Sequence, residues 1–412
     1  MDQATIDLVI TDIANGGDGI GRLPDGRAVF VPFTIPGETI RCSVLEEKKG
    51  YVRGELKEVI NPAGNRIQPR CKHFGACGGC HFQHLGYRDQ LGIKTKIIED
   101  VLLRVGGLSG VNVLPIIPSP REWDYRNNVQ FHLHSSGRLG YQRHLSNEVI
   151  PIDECFLPSP TLGELRSQLD LDYQTGIKRV SFREGIDEEV LILLEGENSD
   201  LPEMEINMPA SVVHLSDAGK IVLAGSDFLM MQVNERHFKV SAESFFQVNI
   251  SMTEKMVEHV LSLLPKEKLN CLVDLYCGAG LFSAFTAEIA SKLIGIEFSH
   301  SACMDYAENL DEFDHIELYE GSADIILPRL DISPDVVIAD PPRAGIGRST
   351  IDALIKLKPK RIIYVSCDPA TLARDASRLV KGGFKLIHLT PFDLFPQTFH
   401  IESISVFDFL TN

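Results

Sequence analysis

Residues 361–375 read RIIYVSCDPATLARD. Ile362, Ile363, Tyr364 and Val365 make a β-branched and apolar run, the pattern of a short buried strand, which ends in a turn carrying Ser366, Cys367, Asp368 and Pro369. The segment that follows, ATLARDASRLV, is helical in pattern. A strand running straight into a helix is the half-unit of a doubly wound sheet, and such sheets bind ligands outside the carboxyl ends of their strands. Cys367 stands at one of those ends. A free cysteine is more often a small buried hydrophobe than a nucleophile, so the role of Cys367 depends on what the rest of the chain brings to the same edge.

From about residue 241 onward the same alternation repeats. CLVDLY, KLIGIE, DVVIAD, RIIYVS, FKLIHL and ISVFDF are near-continuous apolar runs, as strands covered on both faces require, and LFSAFTAEIA between them is helical. Residues 273–280, VDLYCGAG, form a strand entering a glycine turn; Gly278 and Gly280 allow close approach of a ligand, but Ser283 stands where a dinucleotide fingerprint has its third glycine. The next strand ends in Glu297, placed to accept hydrogen bonds from a ribose diol, which NAD and S-adenosylmethionine both carry. In residues 336–345, VVIADPPRAG, two prolines fix the backbone after Asp340 and before Arg343. An acid followed by Pro-Pro at this point is typical of methyltransferases that act on planar nitrogen- or carbon-centred bases.

The chain has 412 residues, enough for two or three domains, with 44% hydrophobic residues and a formal charge of −17. No run approaches 18 apolar residues and the start lacks a basic and apolar leader, so a cytoplasmic protein without a membrane partner is expected, its nine cysteines reduced, metal-bound or catalytic. The charge is uneven. Residues 63–145 carry eleven Lys and Arg against five Asp and Glu, with six of the thirteen histidines; residues 184–205 carry nine acids and no base. A basic strip on an acidic body suits a polyanion steered onto one face.

Residues 1–62 read as a small all-β module of five short strands with glycine-rich turns (NGGDGIG, Pro36-Gly37), suggesting an OB-type barrel. After a linker at 61–65, residues 91–106 space Ile93, Ile97, Ile98, Val101, Leu102 and Val105 as a helix stopped by Gly106-Gly107. Residues 115–240 read as an irregular α+β domain. Cys71, Cys77 and Cys80 form C-x5-C-x2-C, and Cys155 follows, a metal signal that suits zinc or an iron–sulfur cluster; spacing does not decide, and the residues alone favour zinc slightly. Cys42, Cys271, Cys277 and Cys303 read as packing residues.

Residues 274–280, 339–345, 366–375 and the terminal FPQTFHIE (395–402), with GGDGIGR and AVFVPFTIPGE at the start and the cysteine spacing, resemble the RNA uracil-5 methyltransferase family over nearly the whole chain, most closely its 23S rRNA members. The resemblance implies a Rossmann-like class I methyltransferase domain (91–114 and 241–412), an N-terminal TRAM domain (1–62) and a central RNA-binding domain (63–90 and 115–240) bearing a [4Fe-4S] cluster on Cys71, Cys77, Cys80 and Cys155. It also implies Cys367 as a nucleophile on uracil carbon 6, Glu402 as the general base, and Gln247, Tyr276, Glu297 and Asp340 at the S-adenosylmethionine site. Leu281 departs from the family, where that position is often polar. Arg126 is a candidate for phosphate or base contact, with an ordinary surface arginine equally in view. In sheets of this class the last strand, residues 401–410, runs antiparallel, which would bring Glu402 to Asp340 and Cys367. The expected substrate is structured RNA, with the target nucleotide flipped from its stack: 23S rRNA, or alternatively the T-loop uridine of tRNA, acted on by a monomer. A cytosine-5 methyltransferase is disfavoured because DPPR lacks a cysteine, and a non-catalytic RNA-binding protein on this fold because Cys367, Asp340 and Glu402 occur together.

Overall fold

The computed structural model describes residues 5–169, 171, 175–197, 206 and 208–410. The first segment alternates buried and open positions, as half-buried strands do: β1 (Thr5–Val9), β2 (Asp12–Ile13), β3 (Gly19–Arg22), β4 (Ala28–Val31), β5 (Thr39–Glu47) and β6 (Tyr51–Asn61). The sheet order is β1-β5-β6-β4-β3-β2. Two residues separate β1 from β2, yet these strands occupy opposite edges; the chain thereby closes on itself, with Thr11 N–H donating to the Ile20 carbonyl at 2.8 Å. Leu8, Ile10, Val29, Val31, Ile40, Cys42 and Val52 fill the interior. Six strands stand where five were expected, because β2 is only two residues long.

The helix expected over 91–106 is α1 (Tyr87–Arg104). It begins earlier, the Gly86 carbonyl accepting the N–H groups of Asp89 and Gln90, and ends where Gly107 turns to φ +64°. Beside its apolar stripe it buries two polar residues, Gln90 and Lys94.

A second sheet holds β7 (Asn128–Leu133), β8 (Leu139–Gln142), β9 (Val149–Pro151), β10 (Ile177–Glu184), β11 (Val190–Gly196), β12 (Ala210–Ser216) and β13 (Gly219–Ala224), with α2 (Pro160–Gln168) between β9 and β10. Its order is β13-β12-β11-β10-β7-β8-β9, and a separate hairpin, β14 (Phe228–Val233) and β15 (Arg236–Ser241), follows. The end of the acidic run, 198–205, lies outside the described residues.

The third sheet comprises β16 (Leu272–Leu275), β17 (Leu293–Glu297), β18 (Ile316–Glu320), β19 (Val336–Ala339), β20 (Arg361–Ser366), β21 (Phe384–Phe392) and β22 (Glu402–Phe409). Its helices are α3 (Ile250–Leu263), α4 (Leu281–Thr286), α5 (His300–Asn309), α6 (Ala323–Ile326), α7 (Arg348–Leu357) and α8 (Pro369–Lys381). The order is β18-β17-β16-β19-β20-β22-β21, and β22 runs antiparallel between β20 and β21. Leu272, Ile338, Ile363, Val365 and Ile404 pack with Met252, Met256, Val257 and Val260 of α3. Val273, Leu275, Val337, Ile362 and Tyr364 pack with Ile97, Ile98, Val101 and Leu102 of α1 and with α7 and α8. Both faces are thus covered, which accounts for the apolar runs. β18, an edge strand with half-open positions, lacks that signature.

Candidate active site

The ladder register gathers the chemistry. Asp274 pairs with Gly295 on β17 and with Ile338 on β19; Ile338 pairs with Ile363 on β20, and Ile363 with Val406 on β22. Paired residues share a face, and every second residue returns to it. Counting along each strand to the carboxyl edge, Asp274, Glu297, Asp340, Cys367 and Glu402 all fall on the face covered by α3. Ser366 pairs with Ser403, so Cys367 and Glu402 are the next step of the same ladder. From β17 to β20 is three strand spacings, about 14 Å at about 4.8 Å each. Glu297 therefore stands at one end of a row and the thiol and Glu402 at the other.

Glu297 already has work at its end. Its Oε2 accepts the Gly278 N–H at 2.9 Å, and its Oε1 accepts those of Phe298 and Ser299 at 2.8 and 2.7 Å. Of about four acceptor positions on a carboxylate, one on Oε2 is left for a hydroxyl of a ligand. The glycine turn it ties down includes Gly280 at φ +92°, where a Cβ would fall 2.4 Å from Leu310 Cδ1. Ser283, in place of the third glycine, donates to the buried carboxylate of Asp274 at 2.6 Å. Gln247 is nearly buried two residues before the Asn249 cap of α3.

Tyr276 departs from the row. Its backbone has φ +62°, and its side chain packs with the core on the opposite face, toward Thr350 and Gly347. Only its main chain is left at the crevice. Leu281, buried at the start of α4, packs in the core beneath the turn.

Burial sets the ionisation of the row. The Asp340 carboxyl is pushed up to about 7, by burial first and then by the Asp274 charge. Glu402, 4% exposed, is raised well above the usual carboxylate range by burial and by Asp340, against the pull of Arg343. Cys367 is raised to about 12 by burial and by the neighbouring Glu402 and Asp340, with Arg343 opposing. Helix α8 begins beside the thiol, but with Pro369, which has no N–H, and with the Asp368 cap accepting the Thr371 N–H at 2.8 Å, so the helix gives Cys367 little help. Asp375 of α8 accepts the Ile346 N–H at 2.9 Å and the Tyr364 hydroxyl at 3.0 Å, fixing the loop that carries Asp340 and Arg343.

Cys71, Cys77, Cys80 and Cys155 line one cavity of about 900 Å³ together with Arg126, Tyr141, His81 and Arg343. Backbone N–H groups of His73 and Gly79 point to the sulfurs of Cys71 and Cys77 at 3.4 and 3.3 Å. The metal site expected from the spacing is nevertheless not seen. No group of three or more His, Cys, Asp or Glu among the described residues is close enough to hold a metal ion. A single zinc needs its sulfurs about 3.8 Å apart. Neither the zinc that the residues alone favour slightly nor the [4Fe-4S] cluster implied by resemblance is supported by this arrangement. Four thiols around one cavity, with N–H donors on two of them, leave room for a larger iron–sulfur group, whose thiolates bind separate irons. Arg126 lies along the Tyr125 side chain at the rim of this cavity. Cys42, Cys271, Cys277 and Cys303 are buried packing residues.

The family model for tRNA (uracil-5-)-methyltransferase matches residues 195–326 and 318–408, more than half of the chain, and that for the TRAM domain matches residues 2–57. The chain belongs to the RNA uracil-5 methyltransferase family. An RNA methyltransferase of Aquifex aeolicus is 33% identical over 426 positions, covering 99% of each chain. One of Streptomyces coelicolor is 32% identical over 423, covering 98% of this chain and 92% of the relative. The crystal structure of Pyrococcus abyssi tRNA (uracil-54, C5)-methyltransferase with S-adenosyl-L-homocysteine shares the fold, with a TM-score of 0.74 at 24% identity over 98% of this chain and all of that one.

This uracil-5 methyltransferase is an S-adenosylmethionine-dependent RNA-modifying enzyme with a TRAM domain. No helix among its described residues is long and apolar enough to cross a membrane. Two groups of the enzyme's site had no sequence reading. Asp274 is buried, raised to about 7, and its Oδ1 has no hydrogen-bond partner; its place four residues before Gly278 of the glycine turn was the available signal. His400 stacks on Phe399 with centroids 4.3 Å apart and meets Arg343 at 3.4 Å.

Proposed function

We propose that the enzyme methylates carbon 5 of one uridine in structured RNA, 23S rRNA in the first instance, with Cys367 as nucleophile and Glu402 as general base. The observation that carries this is the convergence of Cys367 and Glu402 across one rung of the ladder, next to the Ser366–Ser403 pair, beside Asp340. Carbon 5 of uracil is too poor a nucleophile to take a methyl group unaided. The Cys367 thiol gives up its proton to solvent, the thiolate sulfur bonds to carbon 6, and the electron pair of the C5–C6 double bond becomes an enolate. Carbon 5 then bonds to the methyl group as the sulfonium–methyl bond breaks, its electron pair staying on the sulfur of the departing S-adenosylhomocysteine. Glu402 removes the carbon 5 proton, that C–H pair restores the double bond, and the S–C6 bond breaks to release the thiolate. S-adenosylmethionine supplies the methyl group and a positive charge when bound. Glu297, Asp340, Gln247 and the main chain at Tyr276 would hold it along the row. Arg343 pulls Cys367 and Glu402 toward their ionised forms and faces the developing enolate.

The division of labour follows the three sheets: barrel (1–62), central domain (63–90 and 115–240) and catalytic domain (91–114 and 241–412). Cys71, Cys77, Cys80 and Cys155 would hold a [4Fe-4S] cluster in a structural role, since the methyl transfer needs no redox step. Anaerobically purified protein should then be brown and absorb at about 400 nm; colourless protein rejects the cluster. A tRNA substrate is the second reading, favoured by the tRNA named in the matching family model and in the Pyrococcus abyssi structure.

RNA carrying 5-fluorouridine tests the chemistry. Carbon 5 cannot lose fluorine as a cation, so enzyme and RNA should stay joined on a denaturing gel. No adduct with any cellular RNA pool, or one that survives Cys367→Ala, overturns the reading. Mapping 5-methyluridine in RNA from a deletion strain decides between rRNA and tRNA.

A further inference from the structure

The turn that leads into Glu402 is held from every side. Residues 394–397 present four consecutive carbonyls, and each is taken by a donor from elsewhere in the chain. Asn249 Nδ2 donates to Leu394 O at 3.0 Å, Lys94 Nζ to Phe395 O at 3.0 Å, and the Tyr125 hydroxyl to Pro396 O at 3.0 Å. The N–H groups of His81 and Phe82, next to Cys80, both donate to Gln397 O, at 2.8 and 3.0 Å. Gln397 is 2% exposed and has φ +68°, a left-handed conformation that a non-glycine residue keeps only when its surroundings impose it.

Gln90 of α1 is what imposes it. Its Oε1 accepts the Gln397 N–H at 3.0 Å, and its Nε2 donates to Gln397 Oε1 at 3.0 Å. The same amide donates to the carbonyls of Phe82 and Leu85, at 3.2 and 3.0 Å, joining the cysteine loop to the turn. On the remaining side, Gly17 of the barrel lies so close that a Cβ there would fall 3.1 Å from Phe399 Cβ. Glu402 is five residues beyond Gln397, whereas Cys367 stands between β20 and α8, to which none of these hydrogen bonds reaches.

We propose that Gln90 is a positioning residue for Glu402 in the removal of the carbon 5 proton, acting through Gln397. The proposal rests on the covalent reading above. Loosening Gln397 lets the turn relax and moves the base, while the thiol and the donor site stay in place. The two halves of the reaction then separate: the adduct forms and is methylated, but breaks down slowly.

The test is full-length Gln90→Met, which keeps the volume and removes the hydrogen bonds. Formation of the 5-fluorouridine adduct and S-adenosylhomocysteine affinity by calorimetry should stay within about twofold of the unaltered enzyme. Tritium release from carbon 5 of labelled RNA should fall at least about tenfold, since misplacement by about 1 Å costs up to about 10²-fold. A methylated enzyme–RNA adduct should accumulate on ordinary RNA. Tritium release at the normal rate, or slowed no more than adduct formation, overturns the positioning role. If Gln90→Met does not fold, Lys94→Met with Asp393→Leu loosens the same turn at Phe395 and must show the same split. No 5-fluorouridine adduct with the unaltered enzyme overturns the covalent reading instead.

Discussion

The electrostatics of the row make a quantitative prediction about Cys367. Burial and two neighbouring carboxyls raise its thiol from 9.0 to about 12, which leaves about 10³-fold less thiolate than an ordinary cysteine at pH 8. Alkylation by iodoacetamide, read by mass spectrometry of the Cys367 peptide, consumes the thiolate. In the enzyme without substrates it should rise about tenfold per pH unit up to pH ~10 without levelling. Shielding by the turn would lower the whole curve without moving its inflection, so the slope isolates the ionisation. Asp340, raised only to about 7, is charged at pH 8. At the spacing of neighbouring strand ends, about 5–7 Å, a unit charge at an effective dielectric of about 20 is worth about 2–3 kcal/mol. Solvent screening at a half-buried thiol reduces this to roughly tenfold in rate. Asp340→Asn should therefore speed alkylation by about tenfold at pH 8, and Arg343→Met should slow it. Glu402→Gln, which removes the other carboxyl that raises the thiol, should speed it as well. A levelling below pH ~9.5, or no acceleration in Asp340→Asn, refutes this account of the site.

Two further predictions concern stability. Lys94 and Asp393 form a fully buried ion pair between α1 and the turn before Glu402; Lys94→Met alone should cost about 3–5 kcal/mol in urea unfolding, and adding Asp393→Leu should recover most of it. Equal costs for the single and double variants would contradict this. Glu38 is buried where the barrel meets the cysteine loop. Burial alone would raise its carboxyl, but Arg66 and the Ile35 N–H hold it below its ordinary value. Its folded pKa is the lower one, so its contribution to stability is present above the unfolded value of about 4.3 and is lost as pH falls through the folded value. Thermal unfolding of Glu38→Gln should accordingly change less between pH 7 and pH 3.5 than that of the unaltered protein, and an equal change would remove the role given to Glu38.

What the sequence made legible follows from how local each signal is. The strands β16, β17, β19, β20, β21 and β22 could be read because both faces of the sheet are covered, and the Gly278 turn and the DPPR loop because glycine and proline act on their own backbone. β18 was missed because IELYE has no fully buried position, whereas β21, at the other edge, is buried over its last four residues. The placing of Glu402 beside Cys367 depends on β22 entering between β20 and β21, a pairing that no stretch of 35 residues encodes; it was available only through resemblance. Tyr276 was expected at the S-adenosylmethionine site by resemblance, but a left-handed backbone at a non-glycine residue turned its phenol away. The cysteine spacing gave the cavity that the four thiols share, and not the separation of their sulfurs, on which the kind of metal depends. The least legible residues are Gln90 and Lys94. In a helix read by its apolar stripe they look like solvated positions, and burial of a lysine or a glutamine is unfavourable until a partner is named. Their partners, Gln397 and Asp393, lie about three hundred residues away. A buried polar residue on an amphipathic helix is therefore better treated as a question about a distant loop than as an error in the period, and here that loop carries the proposed base.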